Sequence, residues 1–314
     1  MTAPRSFGSN ASTKASSESV REFLLERGAS AIGIAPASRF DAAPPGHSAR
    51  DCVPEARSVI VFGIKLVSGI VDWPQLVWEQ KRSVIMDCWR VYDQCGFDVI
   101  NMRLEVLAMD LAVAFELGGH QAIFFPGSCD MTVTELNAMR LYATTEYPQP
   151  LDRAKIQRLA PDLESPTRYQ APFSFRHAAV AAGLATFGAN NLALHPVFGP
   201  RIRFNSVITD CEVDQYDDPL PDPVCLHDKG CHACIDTCPH GVFHEVGRFT
   251  FAGQNHPWAA MRGNCYYNSV PCGGTCIQTC RAGSGDASMK RTVARRFAQT
   301  NQRNTTDPAN VSGS

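Results

Sequence analysis

The chain has 314 residues, 44% of them hydrophobic, and 29 basic against 31 acidic side chains give a formal net charge of −2. That is enough apolar material for one large domain and a smaller one, and the near-neutral balance makes no electrostatic case for nucleic acid as the main partner. No apolar run reaches the ~18 residues that span a bilayer, and the polar, Ser/Thr-rich residues 1–17 lack the apolar centre of an export signal, so we expect a disordered leader and a cytoplasmic protein without membrane contact.

Ser19 and Glu22 have capping-box spacing, and Val20, Phe23 and Leu24 follow a helical period that stops at Gly28. Residues 31–35 are predicted as a short buried strand and 36–56, rich in Pro and Ala, as a loop. The clearest strand is 57–66, a continuous β-branched apolar run of the kind found in a sheet covered on both faces. A long helix is expected over 92–117, with Val99, Met102, Leu104, Val106, Leu107, Leu111 and Phe115 at helical spacing. Gly118 and Gly119 end it, 121–125 is a third strand and 132–142 a further helix. This alternation argues for an α/β layer fold. Residues 144–172 are polar and Pro-rich, suited to wrapping a surface or a site. A helix at 175–184, a turn into a strand at 187–194 and a strand at 201–209 follow. The acidic stretch 210–224 reads as a joint. Residues 284–314 read as a tail, in which Lys290, Arg291, Arg295 and Arg296 make a solvated helix face.

Eight of the thirteen cysteines fall between Cys225 and Cys280. A disulfide scaffold would have that many cysteines in a short secreted chain, spread evenly. Here Cys231, Cys234 and Cys238-Pro239 form C-x2-C-x3-C-P, the later part of the bacterial ferredoxin run, in which the Cys before Pro serves a second cluster. By that analogy Cys231, Cys234 and Cys280 hold one [4Fe–4S] cluster, and Cys238, Cys265, Cys272 and Cys276 hold another. The first set lacks a ligand, because the full run would place a Cys at 228, where this chain has Asp228. Cys225 swinging in, Asp228 ligating directly and a three-iron cluster are the alternatives; Cys225 is favoured because thiolate suits iron–sulfur clusters better than carboxylate. Zinc would call for paired C-x2-C motifs, and only one is present. Cys52, Cys88, Cys95, Cys129 and Cys211 are scattered, as small buried hydrophobes often are; Cys129 alone follows a predicted strand as a site residue would.

Taken in order, several segments resemble the epoxyqueuosine reductases and their relatives, which share a core with the reductive dehalogenases. They are Pro-Glu-Ala-Arg-Ser-Val-Ile-Val at 54–61, Ala-Gly-Leu-Ala-Thr-Phe-Gly-Ala-Asn at 182–190, Phe-Gly-Pro-Arg-Ile-Arg at 198–203, Val-Ile-Thr-Asp at 207–210 and the cysteine groups. The resemblance implies a cobalamin-binding α/β domain over 18–210. It also implies a ferredoxin-like two-cluster module over 211–283, passing electrons to a corrinoid that reduces the substrate. Gly188 and Asn190 would approach that cofactor. Where the family has Lys after the glycine, this chain has Ala189. The family places a proton-donating acid about fifteen residues before the Ala-Gly-Leu segment, and the count lands here on Tyr169, whose hydroxyl can also donate. Arg176 and His177 lie nearby, on what reads as a solvated helix face. The implied partners are an electron donor such as a ferredoxin or flavodoxin and a small-molecule or modified-nucleoside substrate. A second class stays open, a two-cluster electron-transfer or docking protein without a catalytic cofactor. A bare two-cluster carrier needs only about 60 residues, so the long stretch before the cysteines argues for catalysis or docking.

Overall fold

The computed structural model describes residues 6–8, 14–43, 45–79, 91–127, 172–238, 241, 243–244, 249–251, 254–256, 259–260 and 274–283. The predicted helix at 132–142, Tyr169, Cys88, Cys129, Cys265, Cys272 and the tail lie outside them.

Helix α1 (Ser17–Glu26) starts before the predicted box: Ser16, in extended conformation, is the N-cap, and its hydroxyl accepts from the Ser19 amide at 3.3 Å. Asp214 takes the next orphan donor, Ser17 N, at 2.8 Å. Strand β1 (Ala31–Pro36) follows as expected. The predicted loop 36–56 contains a 3-10 turn, Ala37–Phe40, and a one-turn helix α2 (Ala49–Cys52) closed by a Ser48/Asp51 capping box. Elements of one turn are too short to leave a period in the sequence.

Strand β2 (Ser58–Lys65) is buried from Ser58 to Ile64. Helix α3 (Ser68–Glu79) comes next, then a π-helical turn, Val91–Asp98, leading into helix α4 (Val99–Glu116) and strand β3 (Ala122–Phe124). Helix α5 (Phe175–Ala181) precedes a small hairpin of β4 (Thr186–Phe187) and β5 (Ala193–Leu194), and β6 (Ile202–Thr209) returns to the main sheet. The sheet order is β1-β2-β6-β3. Strand β3 runs antiparallel to β6, with Ala122 opposite Thr209 and Phe124 opposite Val207. Bonds from Arg57 N to Thr209 O and from Leu66 N to Arg201 O at opposite ends of β2 show that β2 and β6 are antiparallel as well. The fold is thus mixed α/β with an antiparallel sheet, and the apolar run of β2 reports burial on both faces rather than parallel neighbours.

Helix α4 divides the residues read at helical spacing. Leu104, Leu107, Leu111 and Phe115 are buried, while Val99, Met102 and Val106 are about half exposed or more. Both sides of this helix are apolar, so the period alone could not say which side faces inward. Among the described residues no helix is long and apolar enough to cross a membrane.

The chain forms two compact units, each assembled from separated stretches: Met1–Phe62, Asn101–Ala182 and Phe204–Asp218 make the first, Gly63–Ile100, Gly183–Arg203 and Pro219–Ser314 the second. In the first, Phe7 meets Phe23 edge-on at 5.5 Å and Phe115 at 5.4 Å. Asp217 receives the Ile34 amide at 2.7 Å and the Arg21 guanidinium at 2.5 Å. In the second, Arg201 is wholly buried and pairs with Asp72 of α3 through both terminal nitrogens, at 2.9 and 3.2 Å.

A four-cysteine recess as candidate metal centre

The second unit builds its site on the β4–β5 hairpin. Thr186 Oγ1 accepts from the Val224 amide at 2.8 Å, which fixes the chain just before Cys225. The hairpin turn then presents the Ala189 amide to Cys225 Sγ at 3.4 Å. After Cys225 the chain turns through a 3-10 segment, His227–Lys229, and Gly230 takes the left-handed conformation at φ 82°. That lets the Cys231 amide reach back to Leu226 O at 3.1 Å and folds Cys231 toward Cys225. Helix α6 (Ala233–Asp236) carries the buried Cys234. Helix α7 (Thr275–Thr279) leads into Cys280, which is buried in extended conformation at its C-cap. The two helices are joined by Thr237 Oγ1 and Thr279 Oγ1 at 3.1 Å.

Cys225, Cys231, Cys234 and Cys280 line one recess, with Asn190, Arg281 and the apolar Leu194, Leu226 and Ala282 among its other walls. Asp228 sits in the 3-10 turn and is not part of this lining. Burial pushes the Cys234 and Cys280 thiols up to about 12, and the neighbouring sulfurs of the same recess add to the effect. Without a bound cation these thiols stay protonated at neutral pH. A metal group that draws them out as thiolates must therefore release protons on loading. Among the described residues no three His, Cys, Asp or Glu side chains converge tightly enough to hold a single ion. Four thiols lining one recess, with an N–H aimed at one sulfur, are a donor set whose chemistry suits a [4Fe–4S] cluster.

The other expected residues fall as follows. Cys238 and Cys276 are half-buried and lie outside this recess, while Cys265 and Cys272 are beyond the described residues. Asn190 is buried; its Oδ1 accepts from Leu192 N at 3.3 Å and its Nδ2 donates to Cys276 O at 3.5 Å. A Cβ on Gly188 would lie 2.5 Å from Asn190 Oδ1 and 2.7 Å from Leu194, so the hairpin's own packing already accounts for this glycine. In the first unit, His177 Nδ1 is bonded to Ser174 Oγ at 2.7 Å beside the start of α5.

Sequence reasoning passed over Thr186 and Arg201. Arg201 reaches Ser68 O and, at 3.5 Å, Gln278 O, so it ties α3 to the helix that ends at Cys280. Its signal was an arginine at the edge of an apolar strand, where a side chain must find a buried partner.

No family model matches the chain, and no curated protein matches its sequence. Solved structures do match. One is a reductive dehalogenase whose structure suggests a mechanism for B12-dependent dehalogenation: 18% identical, TM-score 0.56, covering 90% of this chain and 36% of that one. An N-terminally tagged catabolic reductive dehalogenase gives the same identity and TM-score over 90% and 33%. An epoxyqueuosine reductase from Bacillus subtilis is also found, at 17% identity, TM-score 0.43 and 72% and 52% coverage. The chain spans about a third of the length of the dehalogenases it matches. Low identity limits the likeness to architecture, and this chain has the fold of the reductive dehalogenases.

Proposed function

We propose that the chain is an iron–sulfur reductase in which Cys225, Cys231, Cys234 and Cys280 hold one [4Fe–4S] cluster, with Cys238, Cys265, Cys272 and Cys276 assigned to a second in a ferredoxin-like module. The observation that carries this reading is the recess, which brings three cysteines of the 225–234 stretch together with the distant Cys280. A cluster bound there supplies one-electron transfer at a potential set by its surroundings. This chain's contribution is the Ala189 N–H held toward Cys225 Sγ, together with the apolar walls Leu194, Leu226 and Ala282, which limit water.

The likeness to a B12-dependent dehalogenase supports a corrinoid as the electron acceptor, with a small-molecule or modified-nucleoside substrate and a ferredoxin or flavodoxin donor in the cytoplasm. Gly188 and Asn190 do not speak for that cofactor, because their contacts are with the hairpin, the recess and Cys276. That observation favours, as a second reading, a two-cluster electron-transfer protein that docks a partner.

Anaerobic reconstitution with iron analysis and cobalamin titration separates the two. About eight irons per chain with a shift of added cobalamin to its base-off spectrum is expected for the reductase; the iron without corrinoid affinity leaves the carrier. For the ligand set, Cys225→Ser should lose iron and alter the EPR spectrum of the reduced protein, whereas Asp228→Ala should do neither. The reverse outcome overturns the assignment.

A further inference from the structure

Helix α4 carries a second apolar stripe that its core packing does not use. Val99, Met102, Val106, Met109 and Val113 follow one another at spacings of three and four, and Leu117 lies just beyond the helix; all are between 46% and 66% exposed. Three-and-four spacing averages 3.5 residues, the period of a seam between paired helices, so these are alternating a and d positions over two heptads. A scatter of exposed aliphatic residues needs no explanation, but a contiguous stripe does. Six such side chains expose on the order of 500 Å², near the upper limit that monomers tolerate.

The flanking charges say what fits. Beside the seam stand Arg103 and Asp110, both at e positions. When the helix meets a second copy of itself antiparallel, with Val106 opposite Met109 and Met102 opposite Val113, Arg103 of each copy comes beside Asp110 of the other. Two equivalent ion pairs then flank a closed apolar centre, as two-fold symmetry requires. A parallel pairing instead sets Glu105 beside Asp110, acid against acid. Asp110 is within reach of Arg27, at 3.7 Å, an outlying contact that leaves the carboxylate at the helix surface.

We propose that this face is the interface of an antiparallel homodimer, centred between Leu107 and Ala108 of the two copies. About 500 Å² from each copy makes ~1,000 Å² in all, the lower bound for a specific interface. The dimer should therefore be a reversible one that dissociates on dilution.

Sedimentation velocity on the full, anaerobically reconstituted chain over roughly a hundredfold range of concentration tests this. The wild type should shift from monomer to dimer, and Val106→Lys should weaken self-association at least tenfold while leaving the circular dichroism spectrum intact. Arg103→Asp sets like charges together twice and should weaken it too. Combining Arg103→Asp with Asp110→Arg should restore it. A wild type that stays monomeric throughout, or a dimer indifferent to Val106→Lys, overturns the proposal; loss with Val106→Lys but no rescue by the charge exchange overturns the antiparallel register.

Discussion

Replacing Arg201 with Met removes the one guanidinium that, among the described residues, is buried completely. The wild-type side chain has no exposed surface and its partner Asp72 is also buried. The pair is bidentate, with Nη1 at 3.2 Å and Nη2 at 2.9 Å from the two carboxylate oxygens. Met fills similar volume, so a cavity contributes little. The cost comes from a buried carboxylate that has lost its counter-charge, which is ~3–5 kcal/mol for a pair broken on one side. Nη1 to Ser68 O and Nη2 to Gln278 O are lost as well, but at 3.5 Å each they add little. Their consequence is positional, since Gln278 lies on the short helix that runs into Cys280. Urea unfolding of the anaerobic protein should show Arg201→Met less stable by ~3–5 kcal/mol, with faster loss of iron to a chelator. Arg201→Lys keeps the charge but not the planar fork, and should fall between. Pairing Arg201→Met with Asp72→Leu removes both charges and should recover most of the stability while iron still leaves faster than in the wild type. If Arg201→Met costs less than about 1 kcal/mol, or the double variant is no better than the single, the pair is not a buried anchor and the reasoning fails.

The loop behind Cys280 offers a second test. Gly199, at φ 56°, lies so close to the segment after Cys280 that a Cβ would stand 2.1 Å from Ala282 O, and Gly283 would meet Gly199 in the same way. Gly199→Ala should lower stability by at least ~2 kcal/mol and iron content with it; an unchanged unfolding midpoint would show that the two backbones can part without consequence. The same loop contains a pH-sensitive group. Burial lowers His195 to about 4, and its Nδ1 accepts from Val197 N at 3.0 Å and Phe198 N at 3.3 Å, so the ring is held neutral. The unfolded histidine titrates near 6.5. The native state therefore keeps its full stability above that value and loses it as pH falls from about 6.5 to about 4, by roughly 1–2 kcal/mol after allowance for partial exposure. His195→Asn retains an acceptor for both amides without titrating, and should flatten that segment of the stability curve; a curve of unchanged slope would assign the acid sensitivity to other groups.

What could be read from the residues divides along a physical line. Strand β2 was legible because a run of seven buried residues leaves an unbroken apolar stretch, and helix α4 because eighteen residues carry several turns of period. The grouping of Cys231 with Cys234 is likewise local, set by a spacing that one tight turn dictates. Cys225 depended on contacts that spacing does not contain: Thr186 holds its neighbour Val224 from 38 residues away, and Ala189 reaches its sulfur from 36 residues away. The strand order β1-β2-β6-β3 was hidden for the same reason, since β6 enters between β2 and β3 from more than 70 residues beyond β3.

The two sides of α4 show where even a strong local signal stops. Leu104, Leu107 and Leu111 repeat at nearly the same interval as Met102, Val106 and Met109, and neither row is more apolar in kind than the other. Periodicity reports that a row of side chains wants cover and is silent about what supplies it. For the first row the cover is the chain's own core, shown by full burial; the second row remains half exposed. If the second row is covered by another copy, the same helix serves folding on one side and assembly on the other. Exchanging polar for apolar residues should then separate the two roles: Leu107→Ser should cost stability at any protein concentration, whereas Val106→Ser should cost it only where the dimer forms.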